Sequence, residues 1–108
     1  MHNSTETLSN CRTNLGCWKD TEQHRAIGEK SGDQYRSYSV NPIENCHNFA
    51  KEEGWSVFGV QDGDECFTAV DAEDTYQNHG QSRDCSDGKG GGWALDVYRI
   101  TNCQDPGT

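Results

Sequence analysis

Apolar residues recur at helical spacing in one segment near the middle of the chain. Ile43, Cys46 and Phe49 follow one another at separations of three residues, and Ala50 lies four residues after Cys46. Side chains with this spacing share one face, so the pattern predicts an amphipathic helix. Cys46 belongs to the face that this helix would bury.

Residues suited to helix termini stand at both ends of this segment. Asn41 is a favourable N-cap, and Pro42 fits the first helical position. Glu44 stands three residues after the cap, as in a capping box. Gly54 is suited to the left-handed residue that ends a helix. We therefore predict a helix over about 42–53.

Two β-rich segments follow this helix and predict a hairpin. Residues 55–61 are rich in aromatic and β-branched side chains, and residues 66–69 resume the pattern. Asp62-Gly63 between them is a strong turn signal. A helix packed on this hairpin would bring Cys46 to Cys66, which predicts a first disulfide.

The remaining patterns are shorter and complete the predicted fold. In chain order they predict strands at 15–19 and 25–27, a polar connection over 28–39, a short helix over 72–78, a glycine-dense loop over 83–92 and a strand at 93–100. Asp71 is the expected N-cap of the short helix. The fold class is therefore α+β, with a small antiparallel sheet packed on one main helix.

Six cysteines are spread along the 108 residues without any CxxC pair. Structural zinc sites use short-spaced cysteine pairs, so the spacing argues against zinc. An even count in a short polar chain indicates three disulfides, formed in an oxidising compartment. The chain is therefore expected to be a secreted or extracellular module.

The pairing of the other four cysteines follows less directly from the elements. Cys11 and Cys103 lie just outside the first and last predicted strands, and a bridge would join them if those strands are neighbours. Elimination would then leave Cys17 for Cys85. Six cysteines allow 15 pairings, however, and the residues alone do not choose among them.

The composition predicts a single domain with a thin core. Only 31% of the residues are hydrophobic, so covalent bridges would supply part of the stability. We expect one domain over 11–104, a flexible N-terminal segment over 1–10 and a C-terminal tail over 105–108. Asn3 begins an N-x-[ST] sequon and is a candidate glycosylation site.

Charge and hydropathy exclude several classes of partner. The chain has 18 acidic and 9 basic residues, and its net charge of −9 would repel nucleic acids and anionic membrane surfaces. No apolar run approaches ~20 residues, so insertion into a membrane is not expected. The N-terminus lacks the apolar stretch of a signal peptide, which fits a processed chain or a domain of a longer protein.

Catalysis is not expected from the residues present. The sequence has neither an HExxH motif nor a GxSxG motif. Three of the four histidines, His24, His47 and His79, are scattered and fit surface or structural roles better than catalytic ones. Oxidation of all six cysteines would remove any thiolate nucleophile.

Calcium is the main chemical alternative. Asp62, Asp64 and Glu65 lie on the predicted hairpin turn, and Asp71 follows shortly after. Calcium prefers several carboxylate and carbonyl oxygens, which such a turn supplies. A solvated acidic turn is the favoured interpretation, and a calcium-binding adhesion or matrix protein is the alternative.

Carbohydrate binding requires exposed aromatic rings beside polar groups. Trp55, Tyr76 and Trp93 are the candidate rings, and Asn78 supplies an amide. Tyr76 is expected to be exposed, whereas Trp18 and Phe58 are expected in the core because they lie in predicted strands. Further candidates with weaker support are Tyr35, Tyr38, Gln81 and Asp87.

Several short motifs follow one another in an order that resembles a known family. They are Gly16-Cys17-Trp18-Lys19-Asp20 with Arg25-Ala26, then Glu44-Asn45-Cys46, Phe58-Gly59-Val60-Gln61 leading to Glu65-Cys66, Asp84-Cys85, and Gly91-Gly92 before Val97-Tyr98. Their order and spacing resemble a WSC domain, the cell-wall-integrity and stress-response module. The similarity covers about residues 15–100.

The cysteines depart from the family pattern in an informative way. The family usually has eight, and the four that match here are implied to pair as Cys17–Cys85 and Cys46–Cys66. Ala50 and Thr68 stand where two further cysteines pair in the family, so that bridge is absent as a whole. Lys89 stands where another family cysteine is expected. Cys11 and Cys103 are then an addition that closes the ends.

The resemblance implies a fold and a class of function. The fold is a small antiparallel sheet packed on one helix, similar to PAN/apple modules. Family members are extracellular, non-catalytic and associated with polysaccharides or with cell-surface and matrix contacts. The chain is thus expected to bind glycans or extracellular matrix and cell-surface proteins. A purely structural or protein-interaction module is a further alternative.

Overall fold

Five strands form one antiparallel sheet in the computed structural model, which describes residues 10–28 and 35–103. In chain order they are β1 (Cys11–Lys19), β2 (Tyr35–Ser37), β3 (Val57–Gln61), β4 (Glu65–Thr68) and β5 (Ala94–Thr101). Across the sheet they stand in the order β1-β5-β3-β4-β2, and each neighbouring pair is antiparallel. The helices are α1 (Pro42–Glu53) and α2 (Ala72–Thr75). The predicted α+β class is confirmed.

Helix α1 has the predicted bounds but a different N-terminal cap. Asn41 takes a left-handed conformation with φ of 45°, and its side chain makes no capping hydrogen bond. The Glu44 carboxylate accepts hydrogen bonds from Asn10 and Arg12 instead of turning back to the cap. The predicted capping box is therefore wrong, because β1 and the residue before it occupy the carboxylate. Gly54 ends the helix as predicted, with φ of 82°.

The predicted hairpin joins β3 and β4. Gln61 lies opposite Glu65 in the antiparallel register. Asp62 and Gly63 both have positive φ, at 57° and 88°. Aspartate and glycine tolerate this left-handed conformation best, which explains why the chain reverses here.

Side chains pack on both faces of the sheet. The alternation of Val57 and Phe58 along β3 places these neighbours on opposite faces. On the α1 face the buried cluster is Cys46, Phe49, Ala50, Phe58, Val60, Cys66 and Tyr98. On the other face it is Ala26, Ile27, Val57, Phe67, Ala69, Ala72, Tyr76, Leu95 and Val97. All five residues of β3 are consequently buried.

The three disulfides have the pairing that the elements favoured. The bridges are Cys11–Cys103, Cys17–Cys85 and Cys46–Cys66, which join residues 92, 68 and 20 positions apart. Cys46–Cys66 links α1 to β4 through the core. Cys11 lies within β1 rather than before it, because β1 pairs with β5 over its whole length.

Two local predictions near the first loop are wrong. Residues 25–27 form an irregular loop with bends at 26 and 27 rather than a strand. The Asp20 carboxylate accepts a hydrogen bond from the Ala26 N–H at 2.7 Å, and this holds the backbone in a loop. The polar connection contains β2, where the Tyr35 ring packs on Phe67 and the Arg36 guanidinium lies over Phe49.

Other bounds differ by a few residues. Helix α2 ends at Thr75 and continues as turns, so it is shorter than predicted. Asp71 precedes α2 but its side chain makes no capping hydrogen bond. Trp55 and Trp93 lie outside β3 and β5, each just before the strand begins.

Some predictions fall outside the described residues. The glycosylation candidate Asn3, nearly all of the predicted N-terminal segment over 1–10, and the predicted tail over 105–108 are among them. In the part of the chain that the structure describes, neither helix has the length and apolar character needed to cross a membrane.

Candidate functional site around Trp93

Trp93 lies at the corner of a tight turn just before β5. Gly91 and Ala94 exchange backbone hydrogen bonds in both directions, at 3.0 and 3.2 Å, which closes the turn. Trp93 has a left-handed φ of 53°, and its carbonyl accepts a hydrogen bond from the Asp20 N–H at 2.9 Å. The residue is 49% exposed, although the closed turn and the hydrogen bond from Asp20 both restrain its backbone. The indole is therefore presented to solvent on a fixed support.

A shallow depression of about 270 Å³ lies beside this indole. Its lining residues are Asp20, Thr21, Glu22, Gln23 and Trp93. Their side chains include hydroxyl, carboxylate and amide groups, which donate or accept hydrogen bonds as sugar hydroxyls do. The depression therefore combines one aromatic ring with several hydrogen-bonding groups.

Asp20 fixes the loop that forms this depression. The residue is 4% exposed, and Oδ1 accepts hydrogen bonds from the N–H groups of Thr21 and Ala26 at 3.0 and 2.7 Å. Oδ2 accepts from Nε and Nη2 of Arg25 at 2.8 and 2.7 Å. A buried carboxylate with this many donors is well satisfied, so it organises the loop rather than reacting.

The Arg25 guanidinium connects Trp93 to the sheet. Its central carbon lies 4.5 Å from the Phe67 ring centre and 5.5 Å from the Trp93 ring centre. A cation at these distances is attracted to the face of an aromatic ring. The ion pair to Asp20 and the two ring contacts together restrict the guanidinium.

The other predicted sugar-binding residues do not join this site. Tyr76 is 8% exposed and makes an edge-to-face contact with Trp18 at 5.4 Å, so its predicted exposure is wrong. The chain turns after α2 and directs the Tyr76 ring into the core. Trp55 is half-buried and Asn78 is exposed, but neither lines the depression. Phe58 is fully buried, as expected.

The sequence patterns did not identify most of the residues that line the depression beside Trp93. Thr21, Glu22 and Gln23 lie about seventy residues before Trp93 in the chain, and only the folded sheet brings them together. The one signal that pointed to this loop was the Asp20 and Arg25-Ala26 part of the family resemblance.

The acidic hairpin turn carries the residues of the alternative calcium hypothesis. Among the described residues, no group of three or more His, Cys, Asp or Glu side chains is placed to hold a metal ion. Asp71 is separated from Asp62, Asp64 and Glu65 by the extended strand β4, which carries the chain about 10 Å away. Burial and the neighbouring Asp62 and Asp64 raise the pKa of Glu65, since like charges disfavour its ionised form.

A second cavity, of about 300 Å³, lies at the start of α1 on the other face of the sheet. Its lining residues are Arg12, Ser39, Asn41, Pro42, Ile43, Glu44 and Lys89. Within it, Arg12 and Glu44 form an ion pair at 3.1 Å. None of the residues predicted to bind sugar or metal lies here.

Two comparisons with known proteins bear on this geometry. A protein-family model described as WSC domain matches residues 14–91. The match begins within β1 and ends in the glycine-rich turn, which residues 88–92 form. It includes every residue of the depression except Trp93, which follows two positions later. A comparison with curated proteins found no match.

Proposed function

Since the chain belongs to the WSC domain family, we propose that it is an extracellular, non-catalytic module that binds carbohydrate at the surface around Trp93. The observation that carries this proposal is the exposed indole on its fixed turn, beside a depression lined by hydrogen-bonding groups. Aromatic rings with an apolar face and nearby polar groups suit sugar rings, which present both kinds of surface.

The disulfides support the extracellular setting. All six cysteines are bridged, so none is free. Such bridges form and persist in oxidising compartments and are rare in reducing ones. They also leave no thiolate for nucleophilic chemistry, which supports a binding role rather than a catalytic one.

Rigidity of the site supports binding by a preformed surface. The Trp93 turn, the Asp20 hydrogen bonds and the Arg25 ion pair are all contacts within the chain itself. A surface that is already ordered loses little conformational entropy when it binds. The ligand therefore meets a prepared surface.

A glycan array tests the proposal directly. The folded protein with intact disulfides should bind at least one class of glycan, and Trp93→Ala should lower its affinity about tenfold or more, because an exposed ring dominates such contacts. Trp93→Phe should retain part of the affinity, since a smaller ring keeps the stacking face.

Val70→Ala is the matched control. Val70 is also exposed, at 68%, but does not line the depression, so its removal should leave binding unchanged. The proposal would be contradicted if the array showed no bound glycan, or if the Trp93→Ala and Val70→Ala variants bound the glycan with equal affinity.

A further inference from the structure

We propose that the binding surface continues from Trp93 to Tyr35 and takes an extended, uncharged oligosaccharide chain rather than a single sugar unit. This inference rests on the proposed function and specifies its ligand class. We call the surface formed by Trp93, Arg25, Phe67 and Tyr35 the aromatic platform.

The four side chains of the aromatic platform follow one another without a break. Tyr35 and Phe67 are paired across β2 and β4, and their ring centres are 5.2 Å apart. The Arg25 guanidinium lies 4.5 Å from Phe67 and 5.5 Å from Trp93. Taken end to end, these three distances place the Trp93 and Tyr35 rings, the outer rings of the platform, within about 15 Å of each other.

The two aromatic rings at the ends of the platform are exposed, and the Arg25 side chain between them is partly exposed. Trp93 is 49% exposed and Tyr35 is 37% exposed, whereas Phe67 between them is buried. The two outer rings are thus available for stacking, and Arg25 and Phe67 form the floor. Because Phe67 and Arg25 lie between the two outer rings, a ligand that stacks on both must extend across them, as a short chain of sugars can.

Arg25 keeps hydrogen-bonding capacity in the middle of the platform. Its Nε and Nη2 bond to Asp20, while Nη1 donates to none of the described residues. A guanidinium has N–H donors beyond those that this pair uses. The remaining donors suit the hydroxyl groups of a sugar that bridges the two rings.

The surrounding charges favour an uncharged chain. Glu22 lines the depression, and Asp62, Asp64 and Glu65 lie on the adjoining hairpin turn. Glu65 stands two residues before Phe67 in β4, so both side chains lie on the same face of the sheet and the acidic turn borders the platform. Carboxylates around the rim and a net charge of −9 repel acidic glycans.

The centre of the platform offers no partner to a charged sugar. The Arg25 guanidinium is already paired with the Asp20 carboxylate, so the two charges largely compensate each other. A neutral chain needs no such partner and takes its contacts from the rings and the N–H donors.

Calorimetric titration with neutral oligosaccharide series of one to six units tests this inference. The probes are cello-, xylo-, laminari- and N-acetylchito-oligosaccharides. For the series that binds, affinity should rise with length until the chain covers both rings, and then level off. Tyr35→Ala should lower the affinity of the longest probe about tenfold and leave that of the shortest unchanged.

Trp93→Ala and Val70→Ala complete the design. The former should weaken every length, and the latter, which removes an exposed apolar side chain off the platform, should weaken none. Each variant is compared with the parent by thermal unfolding, so that a loss of fold is not taken for a loss of contact.

Failure of this inference differs from failure of the proposed function. If Trp93→Ala abolishes binding but affinity is independent of length and of Tyr35, the platform is refuted and the Trp93 site stands. Tighter binding of acidic or amino-sugar oligomers than of all four neutral series refutes the uncharged ligand. If no glycan binds, whether charged or neutral, both proposals are refuted.

Discussion

Asp20 and His47 are two buried titratable side chains, and each faces an arginine. Asp20 forms an ion pair with Arg25 and accepts backbone hydrogen bonds, so its negative charge is compensated. His47 faces Arg12, whose Nη1 lies 3.0 Å from Nδ1 of the ring. An arginine nitrogen only donates, so Nδ1 must be the acceptor and the proton sits on Nε2. His47 is therefore held in its neutral form.

Protonation of His47 should destabilise the fold. Burial first, and then Arg12 and Lys51, lower its pKa, while Glu44 opposes them. Below the ordinary histidine pKa of about 6.5, the unfolded chain thus binds a proton that the folded chain resists. Stability therefore rises with pH through this window and is lost as the pH falls. Urea unfolding between pH 7.5 and pH 5 measures this slope.

Two variants test whether His47 causes this dependence of stability on pH. His47→Gln should flatten the pH dependence in this window, whatever its effect on absolute stability. Val70→Ala, at an exposed position without a titratable group, should keep the parent slope. A parent slope that survives in His47→Gln would show that other groups cause the dependence.

At the scale of elements, the glycine-rich turn before β5 supports the candidate site. Gly90 has a φ of 74°, and its N–H donates to the buried Asp96 carboxylate at 2.9 Å. The backbone of β3 passes so close that Gly90 has no room for a side chain. The close packing holds the turn that carries Trp93 against the sheet.

Alanine substitutions along this turn should therefore differ sharply. A Cβ at Gly90 would overlap the Val60 carbonyl oxygen and lie 2.6 Å from that of Ala94, whereas one at Gly92 meets nothing within 4 Å. We expect Gly90→Ala to lower the free energy of unfolding by about 3 kcal/mol or more. Gly92→Ala should change it by about 0.5 kcal/mol or less. Denaturant unfolding compares them, and equal effects would contradict this packing.

The elements that the sequence predicted well are those with local signals. Pro42 and Gly54 mark the ends of α1, and Asp62-Gly63 marks the hairpin turn, because each acts through its own backbone conformation. Strand β2 was missed because three polar residues become a strand only by pairing with β4.

The candidate site was predictable only in part, because it also depends on pairing between distant parts of the chain. Trp93 was identified as an aromatic ring after a flexible glycine run. The loop at Asp20 reaches it through sheet pairing and the Arg25 contacts, which no local pattern contains. Tyr76 was misplaced because its burial depends on Trp18, almost sixty residues away in the chain.

At the scale of the whole molecule, the bridges hold together a sheet with a thin core on each face. Cys11–Cys103 joins the start of β1 to the chain after β5, and Cys17–Cys85 joins β1 to the segment before the glycine-rich turn. Closing loops of this length is expected to contribute about 4 kcal/mol per bridge. The same bridges fix the segments that carry the site, so stability and a preformed surface have one structural origin.

The central claim is that Trp93 contacts the glycan. Heteronuclear NMR observes the indole N–H groups of Trp18, Trp55 and Trp93 separately, once each signal is assigned with a Trp→Phe variant. Trp18 donates its Nε1–H to the Leu15 carbonyl at 3.1 Å and serves as an internal reference. On titration with a glycan that the array identifies, the Trp93 signal should shift with saturation while the Trp18 signal stays in place. Saturable binding that leaves the Trp93 signal unmoved would contradict the account.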